Sequence, residues 1–378
     1  MIHTGAARVQ AAGGVRSLAF DSKTKLHLAN GESIAPLTMA FETYGALNAE
    51  RSNAVLVCHG LNGDQFVASP NPVTGRPAWW PRIVGPGKPI DTNRFFVICN
   101  NVLGGAMGTT GPASIASDGQ PYGLRLPPIA IPDMVRAQGM LTEALGVETL
   151  FLAIGAGFGG MQALQWASAY PGRVFACATV ASAARQSAHN IALMELGRQA
   201  IMADPDWRQG GYLAHGVRPQ KGGAVARMAA RIAGQPAAGI RAKFNEARAM
   251  ERFAFAADGA GEGVERFDAN SFLYVSRAID AFDLAADFGG SLANAFKSAE
   301  TRHGVFAFSS DWRYPPDDSR AIVRALMAAG AEASFIDIKT DHGHDAYLGE
   351  EPAFEAALTG FVDAAASARG LALQGGRS

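Results

Sequence analysis

The stretch Thr149-Leu-Phe-Leu-Ala-Ile-Gly-Ala-Gly-Phe-Gly-Gly-Met-Gln-Ala-Leu-Gln-Trp166 decides the fold. An apolar run of strand character stops at a cluster of glycines, and a helical pattern begins at once and ends at Pro171. This is the layout of a nucleophile elbow, a sharp strand-to-helix turn that lifts one side chain above the edge of a sheet. The apex of such a turn is strained and needs small neighbours, here Gly155 before it and Gly159 and Gly160 after it. Where the pattern G-x-S-x-G places serine, this chain reads Gly155-Ala-Gly-Phe-Gly159. The nucleophile position is therefore Gly157, a scaffold without its hydroxyl.

Outward from the elbow, short, largely apolar runs recur at 54–59, 94–99, 174–180, 304–309 and 333–338, a pattern of the kind buried on both faces of a parallel sheet. The run 37–45 alternates well enough to be half-buried. Helical patterns at 133–145, 159–170, 317–329 and 352–366 lie between several of them. Alternation of strand and helix predicts an α/β fold with a mostly parallel sheet and helices on both faces. From 185 to 290 the rhythm breaks into helical stretches, 191–202, 223–232 and 270–282, separated by Asp204-Pro-Asp-Trp207 and Gly234-Gln-Pro236. Such an insertion reads as an all-helical lid over the strand ends, where an open α/β sheet keeps its ligand crevice. The expected division is a core over 1–184 and 291–378, with the lid at 185–290.

A length of 378 residues suits one such core plus an insertion, and 48% hydrophobic with 18% charged residues is an ordinary globular composition. The formal net charge of −1 supplies no field for nucleic acid or an anionic membrane, so neither partner is expected. Cys58, Cys99 and Cys177 lie in apolar runs without CxxC spacing and read as reduced core residues of a cytoplasmic protein. Residues 1–16 lack the apolar core of a signal peptide, and no run of about 18 apolar residues occurs. The Gly/Ala-rich start and the tail Gly370-Leu-Ala-Leu-Gln-Gly-Gly-Arg-Ser378 read as frayed ends.

An elbow needs an acid after a later strand and a histidine near the end of the chain. Asp311 follows the strand at 304–309, and Asp341-His-Gly-His-Asp345 follows the strand at 333–338, offering His344 or His342. The acid fixes the tautomer and orientation of the imidazole, and the imidazole moves the proton. The blander readings are a turn or cap for Asp311, ahead of Pro315-Pro316, and a metal site built from Asp341, His342, His344 and Asp345. No second His/Cys cluster completes a metal ligand set, and chain order favours Asp311 and His344 as catalytic. Backbone N–H groups form an oxyanion hole, one after the nucleophile and one after an earlier strand, which selects Phe158 and Leu61.

The segments Phe41-Glu-Thr-Tyr-Gly45, Asn101-Val-Leu-Gly-Gly105, Thr110-Gly-Pro-Ala-Ser114, Gly159-Gly-Met-Gln-Ala-Leu-Gln-Trp166, Asp204-Pro-Asp-Trp207, Phe267-Asp-Ala-Asn-Ser271 and Gly343-His-Asp-Ala346 stand in collinear order. In them the chain resembles the homoserine O-acetyltransferase family of α/β-hydrolase-fold acyltransferases. The resemblance implies a ping-pong transfer: an acyl-CoA acylates an elbow serine, CoA leaves, and a small hydroxyl acceptor, homoserine, takes the acyl group. It implies Asp311 as acid, His344 as base, Arg227 on the substrate carboxylate, Asp345 beside the amino-acid substrate, no further cofactor, and a homodimer built through the lid. A solvated helix face is the equal alternative for Arg227. The chain departs from the family at Gly157, at Phe158 where a methionine is usual, and at Gly234 where a tyrosine is usual.

Three accounts of Gly157 stay open on the sequence. Glycine tolerates the strained apex, so it suits a replacement that impairs turnover while the fold survives. It also suits a nucleophile-free enzyme in which the Asp/His pair activates water or substrate, or a non-catalytic homologue that binds a small ligand. Retention of both partners favours an enzyme, acyltransferase first and α/β-hydrolase-fold esterase as the alternative.

Overall fold

The apolar runs become adjacent parallel strands, because a strand covered on both faces can bury every side chain. The run 333–338 departs from that expectation, since it forms the sheet edge and only Ile338 in it is buried. The computed structural model describes residues 7–236, 268–297 and 300–371. Its main sheet contains β1 (Ala7–Ala12), β2 (Val15–Phe20), β3 (Thr38–Tyr44), β4 (Ala54–Cys58), β5 (Phe96–Asn100), β6 (Leu150–Ala156), β7 (Val174–Val180), β8 (Arg302–Phe308) and β9 (Ala333–Ile338). The order across the sheet is β1-β2-β3-β5-β4-β6-β7-β8-β9. Pairing is antiparallel from β1 to β5 and parallel from β5 to β9. Every residue of β4 and β6 is buried. Along β4 the side chains divide by strand period: Ala54, Leu56 and Cys58 join one apolar layer, Val55 and Val57 the other.

Helices cover both layers. The first packs α1 (Ile131–Ala144), α2 (Phe158–Ala169) and α6 (Pro316–Ala328), through residues such as Met134, Leu164 and Ile322. The second packs α7 (Pro352–Arg369), through Phe354, Leu358 and Val362. The mostly parallel α/β sheet expected from the sequence is therefore present, with boundaries shifted by a few residues.

The start of the chain corrects the expectation of a frayed end. Residues 7–20 form a β-hairpin, β1 and β2, that extends the sheet. Residues 1–6 and 372–378, which the same expectation covered, lie outside the described residues.

Between β7 and β8 the described residues contain α3 (Ala188–Ala203), α4 (Gln220–Gly234) and α5 (Ala269–Asp280), and no strand. Ser187 caps α3 by accepting the Asn190 N–H, and Asp268 caps α5 by accepting the Ser271 N–H. Arg198 on α3 meets Asp280 on α5 at 2.6 Å. Asp204 accepts the Gly222 N–H at 2.9 Å, fastening α4 to the end of α3. Residues 237–267, also assigned to the insertion by the sequence, lie outside the described residues, as does Phe267 of the segment quoted above.

Candidate active site

The elbow is built at the end of β6. Gly157 stands between β6 and α2 with φ +54° and ψ −118°, a conformation that L side chains rarely adopt. Its N–H donates to the Val180 carbonyl at 2.9 Å, and its own carbonyl accepts the Ser182 hydroxyl at 2.6 Å. The first turn of α2 presses on the end of β4: a Cβ at Gly159 would stand 2.0 Å from the Cys58 carbonyl oxygen. Only glycine permits that approach.

Asp311 leaves the end of β8, and His344 lies in the short helical turn Gly343–Tyr347 after β9. Nδ1 of His344 donates to Asp311 Oδ2 at 2.8 Å, with the pair almost wholly buried. That bond leaves Nε2 as the basic nitrogen. Nε2 lies 3.1 Å from the place where a Cβ on Gly157 would stand. Asp311 also serves the turn read as the bland alternative: Oδ1 accepts the N–H groups of Arg313 and Tyr314 at 2.9 and 3.0 Å. His342, the other candidate base, is exposed and faces Glu351 at 3.3 Å. Tyr314 and Tyr347 flank the His344 ring at centroid distances of 5.2 and 5.6 Å. Burial pushes both phenols up, which keeps them neutral walls of the site.

A cleft of about 440 Å³ opens over the elbow. Its floor holds Gly157, Phe158, Leu61 and His344, and α4 and α5 contribute Arg227, Ala230, Arg231, Phe272 and Val275. The backbone N–H groups of Leu61 and Phe158 have no acceptor among the described residues. Arg227 and Asp345 both line the cleft, and burial draws the Arg227 guanidinium below its ordinary value. The structure thus brings Leu61, Gly157, Phe158, Arg227, His344 and Asp345 to one cavity, with Asp311 behind His344 rather than in the cavity wall and His342 turned away to Glu351. Arg76, Arg231 and Arg313 line it too, and sequence reasoning missed them. Arg76 sits in a turn-rich loop where no period or motif marks it. Among the described residues, no group of three or more His, Cys, Asp and Glu side chains is placed to hold a metal, and no helix is long and apolar enough to cross a membrane.

The family model for the alpha/beta hydrolase fold matches residues 53–332. A homoserine O-acetyltransferase from Mesorhizobium japonicum is 53% identical over 367 residues, covering 94% of this chain and 94% of the relative. The chain belongs to the homoserine O-acetyltransferase family. The crystal structure of a homoserine O-acetyltransferase from Bacillus anthracis superposes with a TM-score of 0.84 at 27% identity, covering 94% of this chain and 98% of that one. Esterase E22 superposes with a TM-score of 0.81 at 28% identity, covering 94% and 99%. The homoserine O-acetyltransferase resemblance drawn from short motifs therefore extends over nearly the whole chain, and so does the α/β-hydrolase fold it implied. Homoserine O-acetyltransferases are acyltransferases on that fold, and this member carries glycine at the elbow apex.

Proposed function

We propose that the cleft is a site for acyl transfer from an acyl-CoA to the hydroxyl of homoserine or a similar small amino acid, with residue 157 as the position of covalent attachment. The observation that carries the reading is the aim of His344: its basic nitrogen faces the Cβ position of residue 157 at 3.1 Å. A serine there would give its proton to Nε2 and attack the thioester carbonyl. The departing thiolate would take the proton back. The acceptor hydroxyl would then pass its proton to Nε2 and receive the acyl group as the serine–acyl bond breaks, and the serine oxygen would recover the proton from Nε2.

The N–H groups of Leu61 and Phe158 would hold the oxyanion in both steps. Arg227 suits the acceptor carboxylate and Asp345 its ammonium group. Residues 185–290 act as the lid, in keeping with the contribution of α4 and α5 to the cleft wall. Exposed Leu196, Val225 and Ile232 on α3 and α4 support a homodimer through that lid. Placement in the cytoplasm fits three buried free thiols. With Gly157 the covalent step is absent, and the chain is impaired as an acyltransferase.

Gly157→Ser protein mixed with acetyl-CoA tests the reading. An acetyl group on the peptide containing residue 157, and CoA release that rises with homoserine, are expected. No adduct with any acyl-CoA or activated ester would overturn it. The likeness to esterase E22 favours hydrolysis as the second reading, and CoA release that ignores homoserine would select it.

A further inference from the structure

His59 immediately follows β4 with 2% of its surface exposed, and both ring nitrogens are engaged. Nε2 lies 3.1 Å from the Val102 N–H and 3.4 Å from the Asn101 amide nitrogen. A backbone N–H can only donate, so Nε2 accepts and the ring proton sits on Nδ1. Nδ1 lies 2.7 Å from the Gly60 carbonyl oxygen and therefore donates to it. The Gly63 N–H donates to the same oxygen at 2.9 Å.

The peptide between Gly60 and Leu61 is planar and its C=O and N–H point in opposite directions. Two donors gathered on the Gly60 oxygen therefore fix where the Leu61 N–H points. That N–H has no acceptor among the described residues, and the loop lies over the elbow: a Cβ at Gly60 would stand 3.8 Å from the Ala156 carbonyl oxygen. We propose that His59 is a positioning residue for the oxyanion hole, locking the Gly60–Leu61 peptide plane so that the Leu61 N–H faces the acyl carbonyl. The proposal rests on the acyl-transfer reading. A preset donor costs no reorganisation when charge develops on the carbonyl oxygen, whereas a peptide free to turn loses that advantage. His59 itself touches no reacting atom.

The test uses the Gly157→Ser protein and adds His59→Leu or His59→Asn. The leucine removes the donor; the asparagine amide restores an N–H near the place of Nδ1. With His59→Leu, kcat for acylation falls about 10²- to 10³-fold, the scale of a lost oxyanion donor. The KM for the acyl donor stays nearly constant, and affinity for a trifluoromethyl ketone falls in step with kcat. His59→Asn recovers most of the loss. An active Gly157→Ser protein in which His59→Leu acylates at the parental rate, or in which His59→Asn does no better than His59→Leu, overturns the proposal alone. Failure of Gly157→Ser itself to acylate overturns the acyl-transfer reading and this proposal with it. Should His59→Leu fail to fold, ¹⁵N NMR of the unsubstituted chain decides: a His59 ring protonated on Nδ1 is expected, and one protonated on Nε2 overturns the proposal.

Discussion

His344 and Gly157 face each other with 3.1 Å between Nε2 and the place of a glycine-borne Cβ, while Asp311 grips the opposite ring nitrogen at 2.8 Å. A side chain returned to residue 157 enters a site already arranged for it, and it meets two opposed effects. Gly157→Ser should raise acyl transfer by about 10³-fold or more, the scale on which triad nucleophiles act. It should also lower the unfolding free energy by about 1–3 kcal/mol, because φ +54° and ψ −118° strain any residue with a Cβ. Steady-state rates and urea unfolding on the same two proteins measure both. A serine variant more stable than the glycine form would contradict the strained elbow.

Asp311 carries two loads, the His344 ring on Oδ2 and two loop N–H groups on Oδ1. In Asp311→Asn the amide oxygen can keep the loop bonds, which leaves the NH₂ facing Nδ1 of His344. That face then has to accept, so the ring proton moves to Nε2 and the base is lost. In the Gly157→Ser background this substitution should cut kcat about 10⁴-fold with only a small change in thermal midpoint. A loss of less than tenfold would remove Asp311 from the proton path.

The elbow and its partners were legible because each leaves a local mark: a buried strand before a glycine cluster, an acid and a histidine after later strands. Chain order supplied the acid and the histidine loop, and the family match at Gly343-His-Asp-Ala346 singled out His344 over His342 two residues away. What escaped has two physical causes. The β1–β2 hairpin carries almost no burial on β1, so no alternation marks it as a strand. Its signal was the pair Gly13-Gly14, both with positive φ, a two-residue hairpin turn. His59 with Gly60 and Ser182 with Gly157 were beyond reach for the other reason. Their meaning lies in which atom meets which in the folded loops, and spacing along the chain does not encode that. Arg76 and Arg313 likewise become site residues only when the loops converge.

His303 on β8 is buried, and neither ring nitrogen finds a hydrogen-bond partner among the described residues. Burial pulls its pKa down to about 4, from an ordinary value of 6.5. The sign follows from which state takes the proton: below pH 6.5 the unfolded chain is protonated here while the folded chain is not. Stability should therefore decline as pH falls from about 6.5 to about 4, by about 3 kcal/mol for the full interval, and then level for this group. His303→Leu should flatten that part of the curve. Urea midpoints of both proteins between pH 7 and 4 measure it, and parallel curves would show that His303 does not carry the dependence.

Gly234, the last residue of α4, lies directly against the carboxylate of Asp345: a Cβ there would stand 2.5 Å from Oδ2 and 2.8 Å from Oδ1. Asp345 is exposed at the cleft wall, so its carboxylate can turn aside where backbone could not. Gly234→Ala should therefore redirect that carboxylate without unfolding the helix, and alanine adds roughly 0.5–1 kcal/mol of helix preference. If Asp345 holds the ammonium group of the acceptor, the KM for homoserine should rise several-fold in the Gly157→Ser background, the scale of one exposed ion pair of up to about 1 kcal/mol. Acylation by the acyl donor alone should be unchanged, since that step makes no use of Asp345. An unaltered KM for homoserine together with slower acylation would place Gly234 and Asp345 on the donor side of the cleft instead.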